Sequence, residues 1–125
     1  MSEMMGPKYQ YKADVVRVVD GDTYEANVDL GFKVVLGVTL RLADYDTKEL
    51  RDKDEESRAK AKEAKEWVEG MVLDKPVVVI TRKTRAGKER RTFGRYVSEV
   101  YYEGVEGTWH NLGEDLHARG LARKV

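Results

Sequence analysis

Three short segments carry residue types that could do chemistry. Asp20-Gly21-Asp22-Thr23 sets two carboxylates on either side of a glycine. Hard cations such as Ca²⁺ take several oxygens gathered closely, but Asp-Gly is also a common hairpin turn, and alone the turn is the better reading. Arg41-Leu42-Ala43-Asp44-Tyr45-Asp46-Thr47-Lys48-Glu49 follows an arginine at a strand end with further carboxylates and a hydroxyl. A calcium-binding EF-hand loop starting at Asp44 would place Asp46 and Glu55 correctly. It would also put Lys48 at a ligand position and Glu49 where glycine is required, so that motif is excluded. Phe93-Gly94-Arg95 raises an arginine on a glycine turn. The planar guanidinium fork suits phosphate, which it meets through paired, charge-assisted hydrogen bonds.

Charge is balanced overall and divided locally. The 125 residues hold 23 basic and 23 acidic side chains, so the whole molecule offers no steering toward a polyanion. Between Thr81 and Arg95, Arg82, Lys83, Arg85, Lys88, Arg90, Arg91 and Arg95 face Glu89 alone. Between Asp44 and Glu56 the acids outnumber Lys48, Arg51 and Lys53 by seven to three. The division suits a molecule that holds both a phosphate chain and a cation, although a single charge run is more simply a solvated face. There is no cysteine, which removes disulfides, thiolate nucleophiles and cysteine zinc sites. His110 and His117 lack partners at zinc spacing. Arg85-Ala86-Gly87-Lys88 lacks the first glycine and the hydroxyl of a phosphate-binding loop. The opening residues contain no apolar run long enough for a signal peptide or membrane span, so the expected location is cytoplasmic.

The elements that must position these residues follow from apolar periodicity. Val15 to Val19 is a β-branched run ending at Asp20-Gly21. Thr23 to Leu30 and Val34 to Leu42 make two more strands about a turn at Gly31-Phe32-Lys33, and three short strands in succession indicate a meander. From Glu55 to Leu73 the period changes, with Ala61, Ala64, Trp67, Val68, Met71 and Val72 on one helical face. Val77 to Thr81 and Phe93 to Tyr102 are two further strands flanking a polar loop. Leu112 to Arg119 is a short closing helix stopped by Gly120. The sequence predicts one α+β domain over residues 1–125, with 1–12 as a flexible N-terminal segment. Its expected architecture is a five-stranded OB-type antiparallel β-barrel, with a helix between strands three and four and a short C-terminal helix.

Taken in order, Asp-Gly-Asp-Thr, then Arg-Leu-x-x-x-Asp-Thr-x-Glu, then Phe-Gly-Arg, then Asn-Leu…Gly-Leu-Ala resembles the staphylococcal nuclease (thermonuclease) family from Ala13 to Arg123. The spacing of Val-Asp-Leu-Gly-Phe before Arg41 is similar to the small phage and prokaryotic branch. The resemblance implies a Ca²⁺-dependent endonuclease that hydrolyses DNA and RNA, preferably single-stranded, with little sequence specificity. It implies no protein partner and no membrane.

Carried over, Asp22 and Asp46 would be carboxylate ligands of the ion and Thr47 a ligand through its carbonyl, with Asp20 in a supporting role. Glu49 would take or orient a proton of the attacking water, and Arg41 and Arg95 would grip the phosphate. Arg82, Lys83, Arg85, Lys88, Arg90, Arg91 and Lys48 are the expected contacts to the nucleic-acid backbone.

The chain departs from the family pattern at several positions. Lys48 stands in place of a proline, which removes a fixed φ before Glu49. Asp44 replaces an apolar residue or glycine, Phe93 a tyrosine, and Arg91 a frequent acid. None removes an expected ligand or arginine. The alternative is a catalytically silent OB module of the same ancestry that binds nucleic acid or a protein tail. Intact Asp22, Arg41, Asp46, Glu49 and Arg95 weigh against it.

Overall fold

The computed structural model describes residues 8–82, the backbone of 91–92, and 95–125. Strand β1 (Gln10–Asp20) pairs antiparallel with β2 (Thr23–Gly31), which pairs with β3 (Val34–Leu42). Both connections are the expected turns. At the second, Gly31, Phe32 and Lys33 all have positive φ (83°, 53° and 64°), so two non-glycine residues occupy the left-handed region beside the glycine.

After β3 comes the short β4 (Tyr45–Thr47), followed by α1 (Glu55–Val72) and then β5 (Pro76–Thr81). Next are β6 (Arg91–Thr92), β7 (Arg95–Glu103) and β8 (Trp109–Asn111). The chain ends in α2 (Leu112–Ala118) and β9 (Ala122–Lys124).

The barrel runs β1-β2-β3-β7-β5 and back to β1. This is the expected five-strand OB-type closure, with α1 between the third and fourth barrel strands. Its closing contact is parallel: Leu40, Arg41 and Leu42 of β3 pair with Tyr96, Val97 and Ser98 of β7. Every other strand pair among the described residues is antiparallel. Closure leaves few free edges in the barrel wall, which is how an antiparallel sheet avoids a long unpaired strand.

Two differences from the expected elements matter for the site. The first strand starts at Gln10 rather than Val15, because Gln10, Tyr11 and Lys12 pair with Ile80, Val79 and Val78. The end of the segment expected to be flexible is therefore barrel strand. The second difference is a two-stranded sheet outside the barrel, in which Tyr45, Asp46 and Thr47 of β4 pair with Lys124, Arg123 and Ala122 of β9.

The helix is set as its periodicity predicts. Asp54 caps its N-terminus by accepting the Ser57 N–H at 3.1 Å, a contact typically worth about 1 kcal/mol. Ala61, Ala64, Val68 and Val72 are buried, and the last three meet Val15, Tyr24, Leu112 and Leu116 in one core cluster. Trp67 is half-buried on the same face, edge-on to Tyr102, with the Arg119 guanidinium 4.7 Å from its ring centre. Among the described residues no helix is long and apolar enough to cross a membrane.

Candidate active site

The site gathers at the end of the barrel where the β1–β2 turn, the end of β3, β4 and α1 meet. Gly21 makes that meeting possible. A Cβ there would lie 2.8 Å from Thr47 Cγ2 and 2.9 Å from the Ala64 methyl, inside any normal carbon contact. The turn is held from below by Tyr24, which is fully buried and donates its hydroxyl to the Gly21 carbonyl. Burial, and next the neighbouring Asp22 carboxylate, hold the Tyr24 phenol well above its ordinary pKa, so it stays a donor. Gly21→Ala is expected to destabilise the fold by about 1–3 kcal/mol through overpacking, read from urea unfolding. The helix backbone carries the Ala64 methyl and cannot retreat without disturbing the core. An unchanged midpoint would mean that this contact is not close-packed.

From this turn Asp22 enters the site almost buried. Its Oδ2 accepts the Thr47 N–H at 3.0 Å and its Oδ1 accepts the Thr23 hydroxyl at 3.1 Å. Its backbone carbonyl accepts the Leu42 N–H at 2.9 Å, which ties the turn to the end of β3. Arg41 is fixed there by one nitrogen, Nη1, which donates to the Leu42 carbonyl at 3.1 Å and the Tyr45 carbonyl at 3.0 Å. The other nitrogen, Nη2, lies 3.4 Å from Asp22 Oδ2 and donates to Asp46 Oδ1. Two carboxylates, one from the β1–β2 turn and one from β4, therefore converge on one guanidinium nitrogen.

The remaining sequence-predicted residues lie around this convergence. Asp20 is half-buried; burial first, then the Asp22 and Glu49 carboxylates, raise its carboxyl above the ordinary value. Lys65 and Arg95 oppose that shift, so Asp20, Asp22, Glu49 and Arg95 all share one electrostatic neighbourhood. Arg95 Nη1 reaches the Thr23 hydroxyl at 3.4 Å. Lys48 and Glu49 are exposed and line a pocket of about 490 Å³ together with Asp22, Arg41, Asp46 and Thr47.

Among the described residues no group of three His, Cys, Asp or Glu side chains is gathered as a metal site. The donor set present nevertheless fits a hard cation. It is all oxygen, two carboxylates already surround one positive charge, and the buried Thr47 Oγ1 has no hydrogen-bond partner among the described residues.

Of the expected backbone contacts between Arg82 and Arg91, only Arg82 is described with its side chain. Lys83, Arg85, Lys88 and Arg90 lie outside the described residues, as does the Arg91 side chain. Arg82 is described, and it is committed to the protein. Its Nη2 bonds Asp44 Oδ2 at 2.6 Å and its Nε bonds Glu99 Oε2 at 2.8 Å, so this cation is already neutralised. Asp44 carries a positive φ of 71° in the turn leading to Asp46. It thus holds a backbone conformation that glycine adopts without strain.

Both pairs of Arg82 are partly exposed, so each contributes about 1 kcal/mol or less. A double-mutant cycle of Arg82→Ala with Asp44→Gly, followed by urea unfolding, is expected to give a coupling of about 0.5–1 kcal/mol. Strict additivity would show that the pair does not persist in solution.

Two pocket residues were not singled out by sequence reasoning. Arg123 lies opposite Asp46 in the β4–β9 register, with its Nη2 3.4 Å from Asp46 Oδ2. Lys60, on α1, lines the same pocket and donates to the Gly120 carbonyl at 3.4 Å. The only sequence signal for Arg123 was its place after Gly-Leu-Ala, and Lys60 resembles any solvated lysine on a helix.

A model of the family described as staphylococcal nuclease homologue matches residues 39–125. No curated protein sequence matches the chain significantly. The matched span contains Arg41, Asp46, Thr47, Glu49 and Arg95. Asp20 and Asp22 precede it and reach the site through the pairing of Thr23 with Arg41 and the Leu42–Asp22 backbone bond.

Proposed function

We propose, from the premise that the chain belongs to the staphylococcal nuclease homologue family, that it is a Ca²⁺-dependent nuclease hydrolysing phosphodiester bonds of DNA and RNA with little sequence specificity. The observation that carries this reading is the convergence of Asp22 and Asp46 on Arg41 Nη2, with Glu49 lining the same pocket and Arg95 at the Thr23 hydroxyl next to Asp22.

Asp22 and Asp46, with Thr47 beside them, would hold the ion. When bound, the ion supplies polarisation of a phosphoryl oxygen and neutralises part of its charge. The protein's own groups do the rest. Arg41 is anchored through Nη1 to two backbone carbonyls, so Nη2 is free to exchange carboxylate for phosphate oxygen without the side chain losing its place. Arg95 adds a second guanidinium, and both act most strongly where charge on the phosphorane-like transition state is greatest. Glu49, exposed at the pocket, orients a water and accepts its proton as the new phosphorus–oxygen bond forms; the phosphorus–oxygen bond to one sugar breaks, and that sugar oxygen leaves and takes a proton from solvent. Lys48 contributes a cation to the substrate side. Non-specific cleavage follows from contacts made to phosphate, which carries no base identity. The preferred substrate in this reading is single-stranded.

The test is degradation of plasmid DNA and of RNA in parallel with Ca²⁺, with Mg²⁺ and with EDTA. Cleavage that depends on Ca²⁺ and is abolished by EDTA supports the reading. Retention of nucleic acid without cleavage under every condition would replace it with the silent binding module.

A further inference from the structure

The pocket that holds the candidate site is also lined by Lys60 of α1 and Arg123 of β9, the latter beside Asp46. We propose that these two cations form a second phosphate subsite, so that the substrate is a nucleic-acid chain gripped at the scissile phosphate and at one neighbouring phosphate. The inference rests on the nuclease reading and deepens it.

Four acidic and four basic side chains line the pocket, so it is electrically balanced as it stands. A balanced pocket has no reason to collect one anion. A divalent cation at Asp22 and Asp46 would leave an excess of two positive charges, which two phosphodiester groups neutralise. The cations are also unequally committed. Arg41 is spent on two carbonyls and two carboxylates, whereas Arg123 is highly exposed. Among the described residues its one hydrogen bond is the 3.4 Å contact from Nη2 to Asp46, which leaves its remaining donors available.

Among the described residues the Lys60 ammonium makes one hydrogen bond, the 3.4 Å contact to the Gly120 carbonyl, and keeps further donors. Gly120, Leu121, Ala122 and Arg123 all line the pocket, so the backbone itself runs from the Lys60 contact to the Asp46 contact. Among the described residues the opposite flank of Arg41 presents Asp44, whose carboxylate is already bound by Arg82.

The experiment compares a dinucleoside monophosphate, which carries only the scissile phosphate, with the same compound bearing a terminal 5′- or 3′-phosphate. One of the two terminal phosphates is expected to raise kcat/KM by about tenfold or more, as charge-assisted hydrogen bonds to it form. In Lys60→Gln/Arg123→Gln the ratio between the substrates should fall to within two- to threefold of unity, a loss of discrimination of roughly three- to fivefold or more. Using the ratio removes any general damage the substitutions do to Asp46 or to folding.

As a second readout, the salt dependence of binding to a labelled single-stranded oligonucleotide is measured by anisotropy with Ca²⁺ present, in a Glu49→Gln background that slows cleavage. Its log–log slope should become shallower by about 1.4 in the double variant. A parent enzyme indifferent to either terminal phosphate, or a ratio and slope unmoved by the double substitution, overturns the subsite. If the parent cleaves neither these compounds nor long DNA and RNA, the nuclease reading fails first. The anisotropy slope then decides the subsite alone.

Discussion

Arg41→Lys is expected to lower single-turnover cleavage of a short oligonucleotide by about 10²–10³-fold, the usual effect of losing one preorganised electrostatic group. The charge survives the substitution and the geometry does not. Arg41 makes four contacts from two nitrogens: Nη1 to the Leu42 and Tyr45 carbonyls, Nη2 to Asp46 and toward Asp22. One ammonium on a flexible stem cannot satisfy two carbonyls and still face a phosphate. A stability cost of about 1–3 kcal/mol is expected as well, because a half-buried carbonyl loses its donor. Arg95→Lys should show the catalytic loss with a smaller effect on folding. Glu49→Gln, at an exposed position, should reduce turnover while leaving the urea midpoint in place. If all three folded variants cut within a few-fold of the parent, the proposed roles of these residues are wrong.

The particular residues show which parts of this protein were legible in its sequence. The helix over Glu55–Val72 was visible because its apolar residues repeat at helical spacing and Asp54 begins it with a local cap. The two turns were visible because Asp20-Gly21 and Gly31-Phe32-Lys33 are turn signals. Gly31 answers a positive φ, whereas the close approach of Thr47 and Ala64 to Gly21 was not legible. Nor were other contacts between distant segments. The parallel pairing of Leu40–Leu42 with Tyr96–Ser98 closes the barrel, but parallel and antiparallel strands share the same apolar alternation.

Gln10 to Lys12 read as polar and free, yet they are strand because Val78 to Ile80 offer them an edge. Within the site, Asp22, Asp46 and Glu49 came from motif order, and the structure brings them together. Arg82 was read as one cation in a basic run, and only the fold reveals Asp44 and Glu99 beside it. Arg123 was missed for the same reason, since its partner Asp46 is 77 positions away.

Asp22→Asn separates the proposed ion site from a purely structural acid cluster. The parent should gain thermal stability from Ca²⁺, by about 2.7 kcal/mol at a concentration 100-fold above its Kd, as any ligand that binds only the folded state provides. Asn keeps the size of the side chain and one acceptor oxygen, but it removes one of the two anions that converge at Arg41 Nη2. Even groups that merely orient metal ligands cost about 10–100-fold in affinity when altered, and a direct ligand should cost at least as much. At the same Ca²⁺ concentration the gain should therefore fall to about 1.4 kcal/mol or less.

Asp20→Asn is the matched control. It removes a carboxylate that shares the electrostatic neighbourhood of Asp22 and Glu49, without removing a group aimed at Arg41. Its Ca²⁺ response should lie much closer to the parent's. Differential scanning fluorimetry with Ca²⁺ titrated against EDTA measures both variants without any assay of cleavage. A Ca²⁺ shift in Asp22→Asn equal to the parent's would place the ion elsewhere or nowhere. The Asp22–Arg41–Asp46 cluster would then be an ion-paired brace between the β1–β2 turn and β4, and nothing more.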